Sequence, residues 1–366
     1  MTAELAVGQS ALAIHFGGEG RDVSGSVTPQ GGDPRARPNS VRLDLSTCVC
    51  RYGPAPAALE CFGEMGAQTL WAHPYGAAER LAGAYGIYLG VDPDELVVAR
   101  GISELIWLLA RSELGPRVVV PVPAYTEYHQ AFPATRDTSS NSGGFNHALA
   151  EIEASLAAAG VVLLSNPHNP SGRAFSRTDL EALARTYPEA MLIVDESYVE
   201  FCADPAMYSL IGTDCDYVIV FRSPSKFFGI AGVRVGVAWS RHGNLGAWFG
   251  QPRGSWPISA VEADVAIAAL KDSAWITANR RSVLADGLWL DRHLRHLGQV
   301  IDGSVTHFRL VVNPEAERVS RHLAKVGLGV RLLSRAHGLA ESAIRVAAPR
   351  LEERAQAAAL LASVVG

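Results

Sequence analysis

The chain has 366 residues, 48% of them hydrophobic and 19% charged, and 32 Lys and Arg against 37 Asp and Glu leave a formal charge of −5. That apolar content excludes an intrinsically disordered chain, and the slight acidity speaks against a nucleic-acid partner, which calls for a basic face. Five cysteines in so long a chain read as reduced thiols, and no apolar run approaches the roughly 20 residues that cross a bilayer.

The expectation is therefore a cytoplasmic, globular protein of one large or two domains, with no membrane or nucleic-acid partner. Residues 1–22 have no basic stretch ahead of their apolar ones and do not read as a secretory signal. Residues 24–40 are dense in Gly, Pro and Ser; a surface loop and a flap over a site are both readings of such a segment. Short, nearly unbroken runs of Val, Ile and Leu follow at Leu96–Ala99, Val118–Val122, Val161–Leu164, Met191–Val194 and Val218–Phe221. These are the pattern of parallel strands buried on both faces. Helical patterns lie between them at Ser103–Arg111, Ala148–Ala159 and Arg177–Tyr187. The alternation predicts an α/β fold, a mostly parallel central sheet with flanking helices.

Val233–Trp239 reads as an antiparallel neighbour of the fifth run. After Trp256-Pro257 the pattern changes. Helices are expected over Ser259–Leu270 and from Ala274 to His296, with Asp272 or Ser273 capping the second. Strands at Val305–Val312, Leu328–Leu333 and Ala343–Ala347 and a last helix at Leu351–Val365 make a smaller α+β domain. The expected division is an irregular segment over 1–40, a large domain over 41–257 and a small one over 258–366.

Four polar segments fall at the ends of predicted strands, where open α/β sheets place their sites. Arg100-Gly101-Ile102-Ser103 turns from strand to helix; its backbone N–H groups suit a phosphate, and a Ser-capped helix uses the same residues. Ser165-Asn166-Pro167-His168-Asn169-Pro170-Ser171-Gly172 holds amides on a rigid backbone, or is simply a turn. Asp195, in Val194-Asp195-Glu196-Ser197-Tyr198, needs a cation or donor at a buried strand end; a pyridinium nitrogen would serve, and so would a helix to cap. The fourth segment, Arg222 to Arg234, carries Ser223, Ser225, Lys226, Phe227 and Phe228. Shielding by the two phenylalanines would lower the pKa of Lys226 and favour Schiff-base chemistry, while the hydroxyls and Arg234 suit a phosphate. Each segment has an ordinary structural reading by itself; their order and spacing in one chain suit one cofactor.

Taken together, from residue 41 to 366, the chain resembles the fold-type I pyridoxal-phosphate enzymes of the aspartate aminotransferase superfamily. It looks most similar to the histidinol-phosphate aminotransferase and threonine-phosphate decarboxylase branch. The further residues that carry the resemblance are Leu43-Asp44-Leu45-Ser46-Thr47 with Tyr52-Gly53-Pro54, Pro123-Ala124-Tyr125-Thr126-Glu127-Tyr128 and Ser255-Trp256-Pro257-Ile258-Ser259-Ala260. Arg331 and Ile344-Arg345-Val346 also fit.

The resemblance implies pyridoxal 5'-phosphate as cofactor, with Lys226 binding it covalently and moving the Cα proton. It implies Asp195 on the ring nitrogen, Tyr198 and Asn169 on the phenolic oxygen and Tyr125 stacked on the ring. Gly101, Ile102, Ser103, Ser223, Ser225 and Arg234 would surround the phosphate, and Arg345 and Arg331 would bind substrate. The implied reaction is transamination of an L-amino acid in biosynthesis, with a 2-oxo acid as acceptor. Decarboxylation is the alternative, followed by elimination, replacement or cyclisation. A homodimer with shared active sites is implied as well. A non-catalytic cofactor-binding regulator is the competing reading, and the full set of lysine, phosphate and ring residues argues against it.

Departures bear on the substrate. Where these relatives have Asn-x-Asn-Pro, this chain has Cys48-Val49-Cys50-Arg51. In an extended segment the two thiols would share a face; nothing completes a metal site around them, and no metal is expected. His15-Phe16-Gly17-Gly18 is similar, with one extra residue, to the decarboxylase branch's substrate-phosphate element, which makes His15 a candidate. The family's partner-subunit tyrosine stands before a proline; here His73 precedes Pro74 and Tyr75 follows it, so both are candidates. These departures point away from the family's usual phosphate ester.

Overall fold

All five apolar runs form strands, and four of them lie side by side in parallel. The computed structural model describes residues 38–133, 136–137, 149–243, 245–250, 254–334 and 337–364, so His15 and the segment 24–37 lie outside the described residues. In chain order β1 (Leu43–Asp44) is followed by α1 (Pro56–Gly63), α2 (Ala67–Trp71), α3 (Ala77–Leu89), β2 (Leu96–Ala99) and α4 (Gly101–Arg111). Next come β3 (Val118–Pro121), α5 (Thr126–Ala131), β4 (Arg136–Asp137), α6 (Leu149–Ala159), β5 (Val161–Ser165), α7 (Arg177–Thr186), β6 (Met191–Asp195), β7 (Val218–Arg222) and β8 (Gly236–Trp239). The remainder is α8 (Ala260–Lys271), α9 (Ser273–His293), β9 (Gln299–Val300), β10 (Phe308–Val312), α10 (Ala316–Val326), β11 (Leu328–Gly329), β12 (Arg331–Leu333), β13 (Ala343–Ala347) and α11 (Arg354–Ala362).

The main sheet has the order β2-β8-β7-β6-β5-β3-β4. Strands β7, β6, β5, β3 and β4 pair in parallel, and β8 runs antiparallel to both β7 and β2. Every residue of β5, β6 and β7 is buried, which is why these runs lack the alternation of a half-exposed strand. A second sheet, β12-β13-β10-β9, is antiparallel throughout.

The expected strand Leu328–Leu333 is in fact two. β11 pairs in parallel with β1, and β12 joins β13, because the chain passes from one sheet to the other within those residues. The helix expected from Ala274 to His296 ends at His293 and continues as a 3-10 turn, Arg295–Leu297. Asp272 caps it, accepting from the Trp275 N–H at 3.1 Å. Helices α1, α2, α3, α5 and α10 have no counterpart in the sequence reading. In α10 the signal was available, since Ala316, Val319 and Leu323 are buried at helical spacing. Among the described residues no helix is long and apolar enough to cross a membrane.

One backbone contact sets the geometry of the site. A Cβ on Gly229 would lie 2.5 Å from Gly53 Cα, and one on Gly53 would lie 2.6 Å from Gly229 Cα. Gly229 also has φ +69°, a region that disfavours other residues. This approach lets the Cys50 N–H bond to Lys226 O at 2.8 Å and the Ala55 N–H to Phe228 O at 3.2 Å. Gly229→Ala combines left-handed strain with overpacking and is expected to cost about 2–4 kcal/mol. Urea unfolding measures it; a loss below about 0.5 kcal/mol, the size of an ordinary surface change, would show that the two loops can move apart.

Candidate active site

Strands β5, β6 and β7 end at one edge of the sheet, with Ser165 opposite Asp195 and Asp195 opposite Phe221. The turns that follow them, dispersed in sequence, therefore lie side by side. Two chambers open there and meet at Lys226. The first is lined by Ile102, Ser103, Asp195, Ser223, Ser225 and Arg234, among others. The second is lined by Cys48, Arg331, Leu333, His337 and Arg345, among others, and among the described residues no Asp or Glu contributes to it. Tyr125, Asn169, Tyr198 and Lys226 wall both.

Lys226 is half-buried between the chambers. Loss of hydration lowers its pKa from the ordinary lysine value, and the charges of Arg345 and Arg234 push the same way against Cys48 and Asp195. Phe227 and Phe228 do not line either chamber; they are buried in the core against Trp275 and anchor the turn beneath the lysine. The expected shielding of Lys226 thus comes from the enclosing loops rather than from these rings.

Asp195 meets donors at its buried strand end, and the helix-cap reading does not hold. Its Oδ1 closes a turn by accepting from Ser197 N–H at 2.9 Å and Ser197 Oγ at 2.5 Å, and its Oδ2 accepts from Tyr128 OH at 2.6 Å. It caps no α-helix, for only a 3-10 turn, Val199–Phe201, follows. Burial pushes its carboxyl up from the usual range, while the Ser197 and Tyr128 hydrogen bonds and the charge of Lys226 pull it back.

At the far end of the first chamber, Ser223 Oγ donates to Val235 O at 2.7 Å and lies 2.9 Å from Ser225 Oγ. Helix α4 begins at Gly101, two residues before the expected start. A Cβ on Gly101 would sit 2.8 Å from Arg234 Nη2, so only glycine admits the guanidinium beside the helix N-terminus. Free N–H groups of a first helical turn, two serines and an arginine form an anion cradle. A buried carboxylate, a lysine of lowered pKa and this cradle in one chamber fit a phosphorylated pyridine aldehyde.

In the second chamber Arg345 is buried, donates to Asn169 Oδ1 at 2.5 Å and to Ser46 O at 3.2 Å, and lies over the Phe308 ring. With Oδ1 taken, the Asn169 amide has its Nδ2–H groups to offer. Burial and the nearby Arg345 charge lower the pKa of Arg331.

The two thiols do not share a face, because the chain beyond β1 bends and is not extended. Cys48 lines the second chamber beside Tyr198 and Arg345, its pKa raised by burial. Cys50 instead donates to Asn279 Oδ1 at 3.2 Å, and Asn279 Nδ2 donates to Phe227 O at 3.2 Å, so this thiol supports the lysine turn. Among the described residues no group of three or more His, Cys, Asp or Glu could hold a metal ion.

His73 and Tyr75 line neither chamber. His73 stacks on Trp256 at 4.3 Å, and Tyr75, 70% exposed, meets the same ring edge-on at 5.7 Å. Sequence reasoning missed Tyr128, Asn279 and His337. It also missed the buried ion cluster in which Arg222 joins Glu196 at 2.8 Å and Glu200, fastening the end of β6 to the end of β7. An arginine ending a buried strand was the available signal for that cluster.

A family model described as aminotransferase class I and II matches residues 50–360. A histidinol-phosphate aminotransferase 1 of Archaeoglobus fulgidus is 30% identical over 325 residues, covering 86% of this chain and 97% of its own. The crystal structure of the histidinol-phosphate aminotransferase from Clostridium acetobutylicum superposes with a TM-score of 0.78 at 22% identity, over 88% of this chain and 98% of that one. The L-threonine-O-3-phosphate decarboxylase from Porphyromonas gingivalis does so with a TM-score of 0.74 at 20% identity, over 88% and 98%. At these identities the two structures speak to the fold alone, which is that of the fold-type I enzymes.

Proposed function

The chain belongs to the class I and II aminotransferases, enzymes that use pyridoxal phosphate, and from that premise we propose that it transfers the amino group of an L-amino acid to a 2-oxo acid in a biosynthetic reaction. The observation that carries the reading is the meeting of two unlike chambers at Lys226, one built for a phosphate and a ring nitrogen, the other for an anion.

In the first chamber Asp195 would hold the proton of the ring nitrogen, Tyr198 OH and Asn169 Nδ2 would donate to the phenolic oxygen, and Tyr125 would cover the ring. The first turn of α4, Ser223, Ser225 and Arg234 would hold the phosphate. Pyridoxal phosphate, when bound, accepts the electron pair released at the substrate's Cα. Lys226 holds the cofactor and then moves the proton at that carbon, its neutral amine being favoured by its surroundings. Arg345 clamps the α-carboxylate, and Arg331 in the same chamber supplies a second positive group for an anion on the side chain.

A homodimer goes with this reading. Leu59, Phe62, Leu70, Trp71, Tyr75 and Trp256 are large, apolar and exposed, and a partner that covered them would receive His73 and Tyr75 near its own site. We also propose that residues 41–257 and 258–366 are the two domains, with β1 of the first paired to β11 of the second.

The test is incubation of the purified holoprotein with a panel of L-amino acids and 2-oxoglutarate. Glutamate is expected, with one equivalent of the new 2-oxo acid. Released carbon dioxide without glutamate would replace transamination by decarboxylation.

A further inference from the structure

Asp195 is held by two elements that are distant in sequence. Ser197, on the turn after β6, places two donors on Oδ1. Tyr128, 67 residues away on α5, places its hydroxyl on Oδ2 at 2.6 Å. The Tyr128 side chain is wholly buried, and its ring packs edge-on at 5.6 Å against Tyr125. Burial and the Asp195 charge hold the phenol well above its ordinary pKa, so it donates and does not ionise.

A carboxylate has about four lone-pair sites, and these three donors occupy two on Oδ1 and one on Oδ2. The site left is on Oδ2, the oxygen that Tyr128 already holds. We propose that Tyr128 is a positioning residue for the cofactor's ring nitrogen, fixing the plane of Asp195 and keeping Oδ2 a carboxylate oxygen whose remaining lone pair takes the ring N–H. This rests on the reading of Asp195 given above. Without the phenol, Oδ2 loses a charge-assisted hydrogen bond, the carboxylate is held through Oδ1 alone, and its basicity rises toward that of the ring nitrogen.

The experiment compares apoprotein affinity for pyridoxal phosphate and for its 1-deaza analogue, in which CH replaces the ring nitrogen. Tyr128→Phe, which keeps the ring and its packing on Tyr125, is expected to weaken pyridoxal phosphate binding about 10-fold and to change binding of the deaza analogue less than about 2-fold. In the loaded variant the ¹⁵N resonance of labelled cofactor is expected to move toward that of unprotonated pyridine. Asp195→Asn is the reference. If it fails to separate the two cofactors, the assignment of Asp195 to the ring nitrogen is wrong. If it separates them while Tyr128→Phe weakens both alike or neither, the role of Tyr128 is overturned. Should Tyr128→Phe not fold, fluorotyrosine at 128, a stronger donor of nearly the same shape, must shift the ¹⁵N resonance the opposite way, and an unmoved resonance overturns the proposal.

Discussion

Lys226→Ala is expected to reduce turnover by at least about 10⁴-fold, the upper range for removing a group that transfers a proton in the transition state. The loss is this large because the proposed function gives the side chain two tasks: to hold the cofactor covalently and to act as the base at Cα. No other lysine lines either chamber. The variant should still take up pyridoxal phosphate, since Ser223, Ser225, Arg234, Asp195 and Tyr125 are untouched, but borohydride should no longer fix it to the protein. In the unmodified protein the rate of covalent uptake by apoprotein should rise with pH as the amine loses its proton. Its plateau should be reached below 10.5, the ordinary lysine value, because burial and the charges of Arg345 and Arg234 disfavour the cation. Uptake that climbs to 10.5 before levelling would mean that the enclosure around Lys226 is not felt by its charge. Turnover by Lys226→Ala within 10-fold of the parent would remove it from the chemistry.

Arg345→Lys is expected to lower kcat/KM for the amino-acid substrate by about 100- to 1000-fold, the range for removing one partner of a buried, hydrogen-bonded charge pair. The charge survives the change, but the fork that grips both carboxylate oxygens does not. Lysine also forfeits the paired bonds to Asn169 Oδ1 and Ser46 O, so some of the cost falls on the orientation of Asn169. Assigning Arg345 to the α-carboxylate makes a sharper demand. With an amine that lacks that carboxylate, the parent and the variant should be equally slow. An equal loss on both substrates would move Arg345 from substrate binding to support of Asn169 alone.

The parts of the fold that rest on unbroken apolar runs were legible in the residues. β2 and β13 match their expected limits, and β5, β6 and β7 run one residue further than expected. Local composition decides such strands, because a strand buried on both faces has no freedom to carry polar residues. Short strands of two or three residues, such as β1, β9 and β11, have no such signature and exist only where a partner strand supplies their hydrogen bonds. The division of Leu328–Leu333 between two sheets is of that kind, since neither composition nor periodicity changes within it.

The candidate site divides the same way. Asp195 stands out in sequence because a carboxylate at a buried strand end is costly without a partner, Lys226 and Arg234 because they share one Ser- and Gly-containing turn, and with Asn169 their order in the chain carries the resemblance. Tyr128 looked like one aromatic among several until the sheet brought α5 over the end of β6. The thiols show the limit most plainly. Read along the chain, Cys48 and Cys50 are a pair two residues apart; in the fold one meets Tyr198 and Arg345 in the substrate chamber, and the other holds Asn279 beneath the lysine turn. Length and composition determined that the chain folds into a globular protein and said nothing of its chemistry. The strand runs determined its sheet, and the ordered motifs its cofactor. Which groups stand against which was decided by tertiary structure alone, because hydrogen bonds and ion pairs act over about 3–4 Å and only the packed sheet brings residues more than a hundred positions apart within that reach.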